Sequence, residues 1–216
     1  MNMPSNHMTT RSVVAMLIGS SLGATSSASA GLTWLAAAPD QSNSSTIRLS
    51  VNSALKMDNV QVIGADALNP ATATIGAATI SFSGIDTQGG WALSASLPNI
   101  AESTARSNND MLFFEVTGQQ QVSFWAAGVL GYRDFRITNW NTSEILVNYA
   151  YSGETTAFDW SQTLEAGQYV LTFEAASPYE GGATAFDGNM MTFTVPAPGA
   201  LALVGAVGLV GVRRRR

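Results

Sequence analysis

The sequence predicts an all-β protein: a single antiparallel β-sandwich, jelly-roll-like, between an N-terminal signal peptide and a short apolar C-terminal helix. Three observations predict it. Apolar residues recur with a period of two rather than 3.6. The alternating stretches are short and bounded by Gly, Asn, Asp, Ser or Pro. Only 12% of the residues are charged, about half the usual quarter, which leaves few side chains for salt-bridged helices.

The alternation can be read stretch by stretch. "TIRLSVNS" puts Ile47, Leu49 and Val51 on one face, with Arg48, Ser50 and Asn52 opposite. "DMLFFEVTG" sends Leu112, Phe114 and Val116 one way and Met111, Phe113 and Glu115 the other. "EILVNYAY" and "GQYVLTFEAA" repeat the pattern through Ile145, Val147, Tyr149 and Tyr151 and through Tyr169, Leu171 and Phe173. "NVQVIG", "ATISFSG", "WALSASL", "QQVSFWA", "DFRIT", "AFDW" and "MMTFTV" are further strands. About ten short strands at this spacing close as a sandwich or barrel. Two stretches, residues 98–110 and 178–189, lack a core pattern and read as long surface loops.

The two ends read as addresses. In residues 1–30, Arg11 precedes an apolar run, and Ala28-Ser29-Ala30 is a small-residue cleavage site at Ala28 and Ala30. That order is the signature of a secretory signal peptide. The predicted folded domain is then residues 31–195. The last stretch, residues 196–216, begins Pro196-Ala197-Pro198, continues as an apolar run and ends in Arg213, Arg214, Arg215 and Arg216. As a helix, residues 199–212 would reach about 21 Å at 1.5 Å per residue, short of the ~30 Å hydrocarbon core. The arginines would stay on the cytoplasmic side. Such a segment suits transient insertion in the inner membrane followed by cutting near the prolines.

The order of proline motif, short apolar helix and terminal arginine cluster resembles the PEP-CTERM sorting signal of exopolysaccharide-producing Gram-negative bacteria. The resemblance covers the last twenty-two residues, and Ala197 stands where the family has its central Glu. It implies that the tail is a substrate of exosortase, a membrane-embedded cysteine transpeptidase. It also implies delivery to the cell envelope or extracellular matrix after C-terminal processing, with Pro196, Ala197 and Pro198 as a recognition motif and no catalytic role.

With both ends removed, residues 31–195 keep five of the ten basic residues and all fifteen acids. The remaining bases, Arg48, Lys56, Arg106, Arg133 and Arg136, are scattered, so no basic patch exists to meet the phosphates of nucleic acid. The one His, His7, lies in the signal region, and Cys is absent. Histidine- and cysteine-dependent catalysis and ordinary zinc, copper or haem sites are therefore excluded from the domain. "SALK", residues 53–56, has the spacing of a Ser-x-x-Lys motif. That chemistry needs a helix start, and this stretch reads as the end of a strand.

No cofactor is expected beyond a structural calcium ion, for which Asp86, Asp110 and Asp187 in "GID", "SNND" and "FDGN" are candidate loop ligands. Five tryptophans lie in the domain, and exposed rings could stack on sugars. Trp91, after "TQGG", and Trp140, in the polar "TNWNTS", are the predicted glycan contacts. Trp125, beside Phe124, is ambiguous. The sequence thus predicts an exported, non-catalytic surface or matrix protein, structural or adhesive in association with exopolysaccharide or another surface glycan. One alternative is a specific carbohydrate-binding module. A third is a glycosidase with two carboxylates facing each other in a cleft.

Overall fold

The computed structural model describes residues 31–53, 55–98, 104–126, 133–151, 158–176 and 186–196. The signal segment, with Ala28 and Ala30, and the tail from Ala197 through Arg216 lie outside the described residues. Two antiparallel sheets pack face to face. In the seven-stranded sheet the order is β10 (Ile145–Tyr151), β9 (Arg133–Asn139), β12 (Gly167–Ala176), β7 (Thr104–Val116), β2 (Thr46–Asn52) and β3 (Met57–Ile63). Its seventh strand, β1 (Leu32–Leu35), pairs with the end of β7, opposite Phe113, Phe114, Glu115 and Val116. The six-stranded sheet runs β11 (Phe158–Leu164), β8 (Gln120–Ala126), β13 (Phe186–Thr194), β6 (Trp91–Leu97), β5 (Ala78–Phe82) and β4 (Ala71–Ile75).

From β6 onward nearly every connection changes sheet, and strands distant in sequence pair: β7 with β12, β8 with β13. This nested, sheet-switching path is the jelly-roll-like pattern that the short alternating strands predict. The predicted parity holds on β7. Leu112, Phe114 and Val116 face the interior, whereas Phe113 and Met111 join a small outer cluster with Ala38, Val170, Leu35 and Trp140. Between the sheets, Phe124 of β8 stacks on Phe135 of β9 at 3.8 Å. Each fully buried ring of this kind contributes about 1.5–3 kcal/mol through removal from water.

Several expectations are corrected. Residues 104–110 form the first half of β7, and residues 186–189 open β13. Both were expected to be loop. They look unpatterned because each strand carries an irregularity. On β7, Leu49 faces Ser107 and Thr46 faces Met111, while on the other side Ala175 faces Ser107 and Phe173 faces Asp110. Both neighbours therefore see one extra residue, a β-bulge, and Asn109 takes a positive φ of 53° there. The inward parity switches across it, from Ala105 and Ser107 to Asp110 and Leu112. β1 and β4 went unpredicted, being only four and five residues long. "SALK", whose Ala54 lies outside the described residues, follows the end of β2 at Asn52 and precedes β3: the backbone N–H of Ser53 donates to the carbonyl of Lys56 at 2.8 Å.

Pro196 is the last described residue, and its carbonyl accepts from Nε2 of Gln120 at 2.9 Å. Among the described residues no helix is long and apolar enough to cross a membrane; the apolar run of the tail is not among them.

Candidate functional site: a groove on the seven-stranded sheet

The tryptophans sort differently from expectation. Trp91 is 3% exposed. Its ring stacks on Phe173 at 4.8 Å and on Phe193 at 5.7 Å, at the centre of the sandwich. It cannot contact a glycan at the surface, and this corrects its assignment. The strand parity carried the signal, since Trp91 is in phase with Leu93, Ala95 and Leu97, all buried. Trp125, left ambiguous by the sequence, is 41% exposed on the outer face of the six-stranded sheet, between Asp159 and Thr192.

Trp140 is half-buried at the end of β9. A tight turn sets its position: Oδ1 of Asn139 accepts from the backbone N–H groups of Asn141 (3.0 Å) and Thr142 (3.1 Å). The N–H of Ser143 donates to the carbonyl of Asn139, with Ser143 at φ 59°. Such Asn-capped turns hold a fixed shape without regular pairing. The backbone N–H of Trp140 donates to the carbonyl of Gln168, and the ring meets Phe113 edge-on at 5.1 Å.

Trp140 stands at one end of a groove on the outer face of the seven-stranded sheet. The first part is a cleft of about 470 Å³ whose walls include Asp40, Thr138, Trp140 and Val170. Its second part, about 230 Å³, is lined by Asp110, Asp134, Arg136, Thr172 and Glu174 among others. The two share Met111, Arg136 and Thr172, so they adjoin along the sheet. Register explains the grouping. Arg136 lies between Asn148 and Thr172 on the neighbouring strands, and Asp134 lies opposite Glu174. Directly opposed residues on one face are near enough to interact.

Electrostatics in the second cleft are uneven. Glu174 is held by Arg106 through Nε (3.1 Å) and Nη2 (2.5 Å). Asp110 is 1% exposed. Its Oδ1 accepts the backbone N–H of Arg48 at 2.6 Å, which fills a donor that the bulge leaves out of the ladder. Burial pushes its carboxyl up from 3.8 to about 7, against the opposing effect of the Arg48 N–H and Ser107. Four side-chain atoms are buried without a hydrogen-bond partner, Asp134 Oδ1, Arg136 Nε and Thr172 Oγ1 beneath this cleft and Asp110 Oδ2 on the inward side of the bulge, and none of them presents surface to the cleft. Among the described residues only two others are in that condition, Trp91 Nε1 and Thr192 Oγ1. At the other end of the groove, Asp40 is held below the usual carboxylate range by hydrogen bonds from Ser42.

The three aspartates considered for calcium do not converge. Oδ1 of Asp86 accepts from the N–H groups of Gln88 (2.8 Å) and Gly90 (2.9 Å) in a turn. Asp110 sits at the bulge, and Asp187 is exposed on β13 opposite Ser96. Among the described residues no three His, Cys, Asp or Glu side chains group as metal ligands do. The sequence missed Asp134, Arg136 and Thr172. Each looks like an ordinary wet-face residue until the register sets them side by side.

Comparison with known proteins leaves the site to its own chemistry. No family model and no curated protein matches the chain. Among solved structures, the enzymatically active domain of bacteriophage CBA120 tailspike protein 4 aligns at a TM-score of 0.26 and 11% identity, over 58% of this chain and 18% of that one. YcfD, a ribosomal oxygenase from Escherichia coli, aligns at 0.22 and 10%, over 79% of this chain and 44% of that one. The chain thus spans less than half the length of either.

Proposed function

We propose that this chain is an exported, non-catalytic protein of the cell envelope or extracellular matrix that associates with exopolysaccharide through the outer face of its seven-stranded sheet. The observation that carries the reading is the pair of adjoining clefts along β9, with an indole at one end and the polar side chains of Asp134, Arg136 and Thr172 at the other. Aromatic rings offer sugars a stacking surface, while polar side chains placed on rigid strands fix orientation. The groove follows β9 from Asp134 to Trp140, about 20 Å at ~3.3 Å per residue. A polymer fits that shape better than a small metabolite does. The signal peptide and the PEP-CTERM-like tail supply the destination, with an exosortase-type enzyme as processing partner.

Affinity electrophoresis of the exported protein in gels containing the producing organism's exopolysaccharide tests the association. Retardation that weakens in Trp140→Ala supports it, and equal mobility with and without polymer refutes it. Fractionation after replacing Pro196 and Pro198 by Ala tests the address: the protein should accumulate unprocessed at the inner membrane.

A glycosidase is the second reading, because one cleft gathers Asp110, Asp134 and Glu174, and the carboxyl of Asp110 is raised as a general acid's would be. Against it, both Asp110 oxygens are withdrawn from the surface and one is held by Arg48, whereas a general acid must reach the glycosidic oxygen. Glu174 is likewise engaged by Arg106. Release of reducing ends from the bound polymer, abolished in Glu174→Gln, would establish this reading in place of the first.

A further inference from the structure

We infer that the free edge of β3 is a self-association surface: β3 of one copy pairs antiparallel with β3 of a second copy, about a two-fold axis at Val60, to give a closed dimer. Edge strands are ready templates for pairing, and folds blunt them with charges, bulges or covering groups. The other strands that end the two sheet orders are guarded or polar. Asp58 Oδ2 accepts the Thr74 N–H of β4 at 2.7 Å, β10 carries a bulge between Ile145 and Val147, and β11 sends Asp159, Ser161 and Thr163 outward. β3 is different. It runs seven residues in unbroken register with β2 and contains no Lys, Arg or Pro. Of the five exposed large apolar side chains among the described residues, Leu55, Met57 and Ile63 lie on it or on the turn before it.

Register shows what that edge offers. The N–H of Gly64 donates to the carbonyl of Ser45 at 2.7 Å. Antiparallel ladders alternate, so Asp58, Val60 and Val62 bond to β2, while Met57, Asn59, Gln61 and Ile63 turn their N–H and C=O groups to the free edge. The same four have exposed side chains, and Val60 and Val62 pack on the core. The outward set reads apolar, amide, amide, apolar, which is its own complement when reversed. Pairing about Val60 puts Met57 opposite Ile63 of the second copy and Asn59 opposite its Gln61, each as a hydrogen-bonded pair whose side chains meet. Charge agrees. Lys56 precedes the strand and Asp66 follows it, both exposed and neither in an ion pair among the described residues, and the antiparallel arrangement brings each towards the opposite charge of the other copy. The pairing uses up the edge, so assembly closes at two. The outer faces of both seven-stranded sheets then lie on one side. Their β9 strands stand four strand steps from β3 in each copy with one step between copies, roughly 40 Å apart at ~4.8 Å per step. On the glycan-binding reading, on which this consequence alone rests, the dimer holds one polymer layer at two places.

Sedimentation equilibrium of the exported protein, with no polymer present, tests the dimer separately from glycan association. The wild type should pass from monomer to dimer as concentration rises and grow no further. Single cysteines read the register, since the chain has none of its own. Val60 would face Val60 of the second copy as a non-hydrogen-bonded pair, with Cα atoms about 4.5 Å apart, within reach of a disulfide. Val62, which would face Asp58 of the second copy, is the matched control. Mild oxidation should link Val60→Cys into a covalent dimer and leave Val62→Cys monomeric. Met57→Lys with Ile63→Lys sets lysine opposite lysine across the axis, whereas Met57→Lys with Ile63→Glu sets opposite charges there. The first should dimerise at least about tenfold more weakly than the second. Both positions are exposed, so this comparison decides the matter should a cysteine variant fail to fold. A wild type that stays monomeric up to its highest soluble concentration, or one that grows into polymers, overturns the dimer. Equal association of the two charge variants does the same, and so does cross-linking of Val62→Cys as readily as Val60→Cys.

Discussion

The indole of Trp91 lies 3° from parallel with the ring of Phe193 and 24° from that of Phe173, which belongs to the opposite sheet. One side chain thereby ties β13 to β6 and the two sheets to each other. Replacing Trp91 by Ala should cost about 3–5 kcal/mol, the usual range for a large aromatic removed from a core. Urea unfolding measures it. A loss below 1 kcal/mol would mean that the ring is not where the fold places it.

The pH dependence of stability should carry the mark of Asp110. Its carboxyl titrates near 3.8 when unfolded and about 7 when folded. Between those values the folded state binds more protons, so stability falls as pH rises from about 4 to about 7 and levels off above. Asp110→Asn keeps an acceptor for the Arg48 N–H and removes the titration. Urea unfolding at pH 4.5 and 7.5 should show a decline in the wild type that is reduced in Asp110→Asn. The same decline in both would assign it to other groups.

Gly84 should tolerate no side chain. It takes φ +75°, and a Cβ there would stand 2.7 Å from Cδ of Pro70. Gly84→Ala combines left-handed strain of about 1–2 kcal/mol with this clash. A lower melting temperature is expected, whereas Gly76→Ala, with φ +59° but open space around it, should show the strain alone.

The ion pair of Arg106 with Glu174 is half open to solvent on the arginine side. The Glu174 side chain is only 12% exposed, so Arg106→Ala, which leaves it unpaired, should cost about 1–3 kcal/mol rather than the ~0–1 kcal/mol of a fully exposed pair. A much larger loss in a thermal melt would show that Glu174 is more costly to leave unpaired in the cleft than its surroundings suggest.

What the sequence disclosed follows the physics of a pleated strand. Period-two alternation identifies a buried face wherever a strand is regular, and Ile47, Leu49 and Val51, or Leu112, Phe114 and Val116, are all buried as that pattern requires. The pattern fails where a bulge shifts the parity, which is why Ser107 to Asp110 reads as loop. It is also silent about neighbours. Asp134 and Glu174 are forty residues apart, and only the register between β9 and β12 makes them face each other. Trp91 shows the opposite error: the glycines before it outweighed a strand parity that was already legible.

Glycan lying on the outer face of the seven-stranded sheet would be reported directly by the five tryptophans. Each indole N–H gives its own signal in a ¹⁵N-resolved NMR spectrum. On titration with oligosaccharides released from the exopolysaccharide, the Trp140 signal should move saturably while those of buried Trp34 and Trp91 stay in place. Movement of the Trp125 signal alone would put the glycan on the six-stranded sheet and contradict the account, and so would a spectrum that does not change.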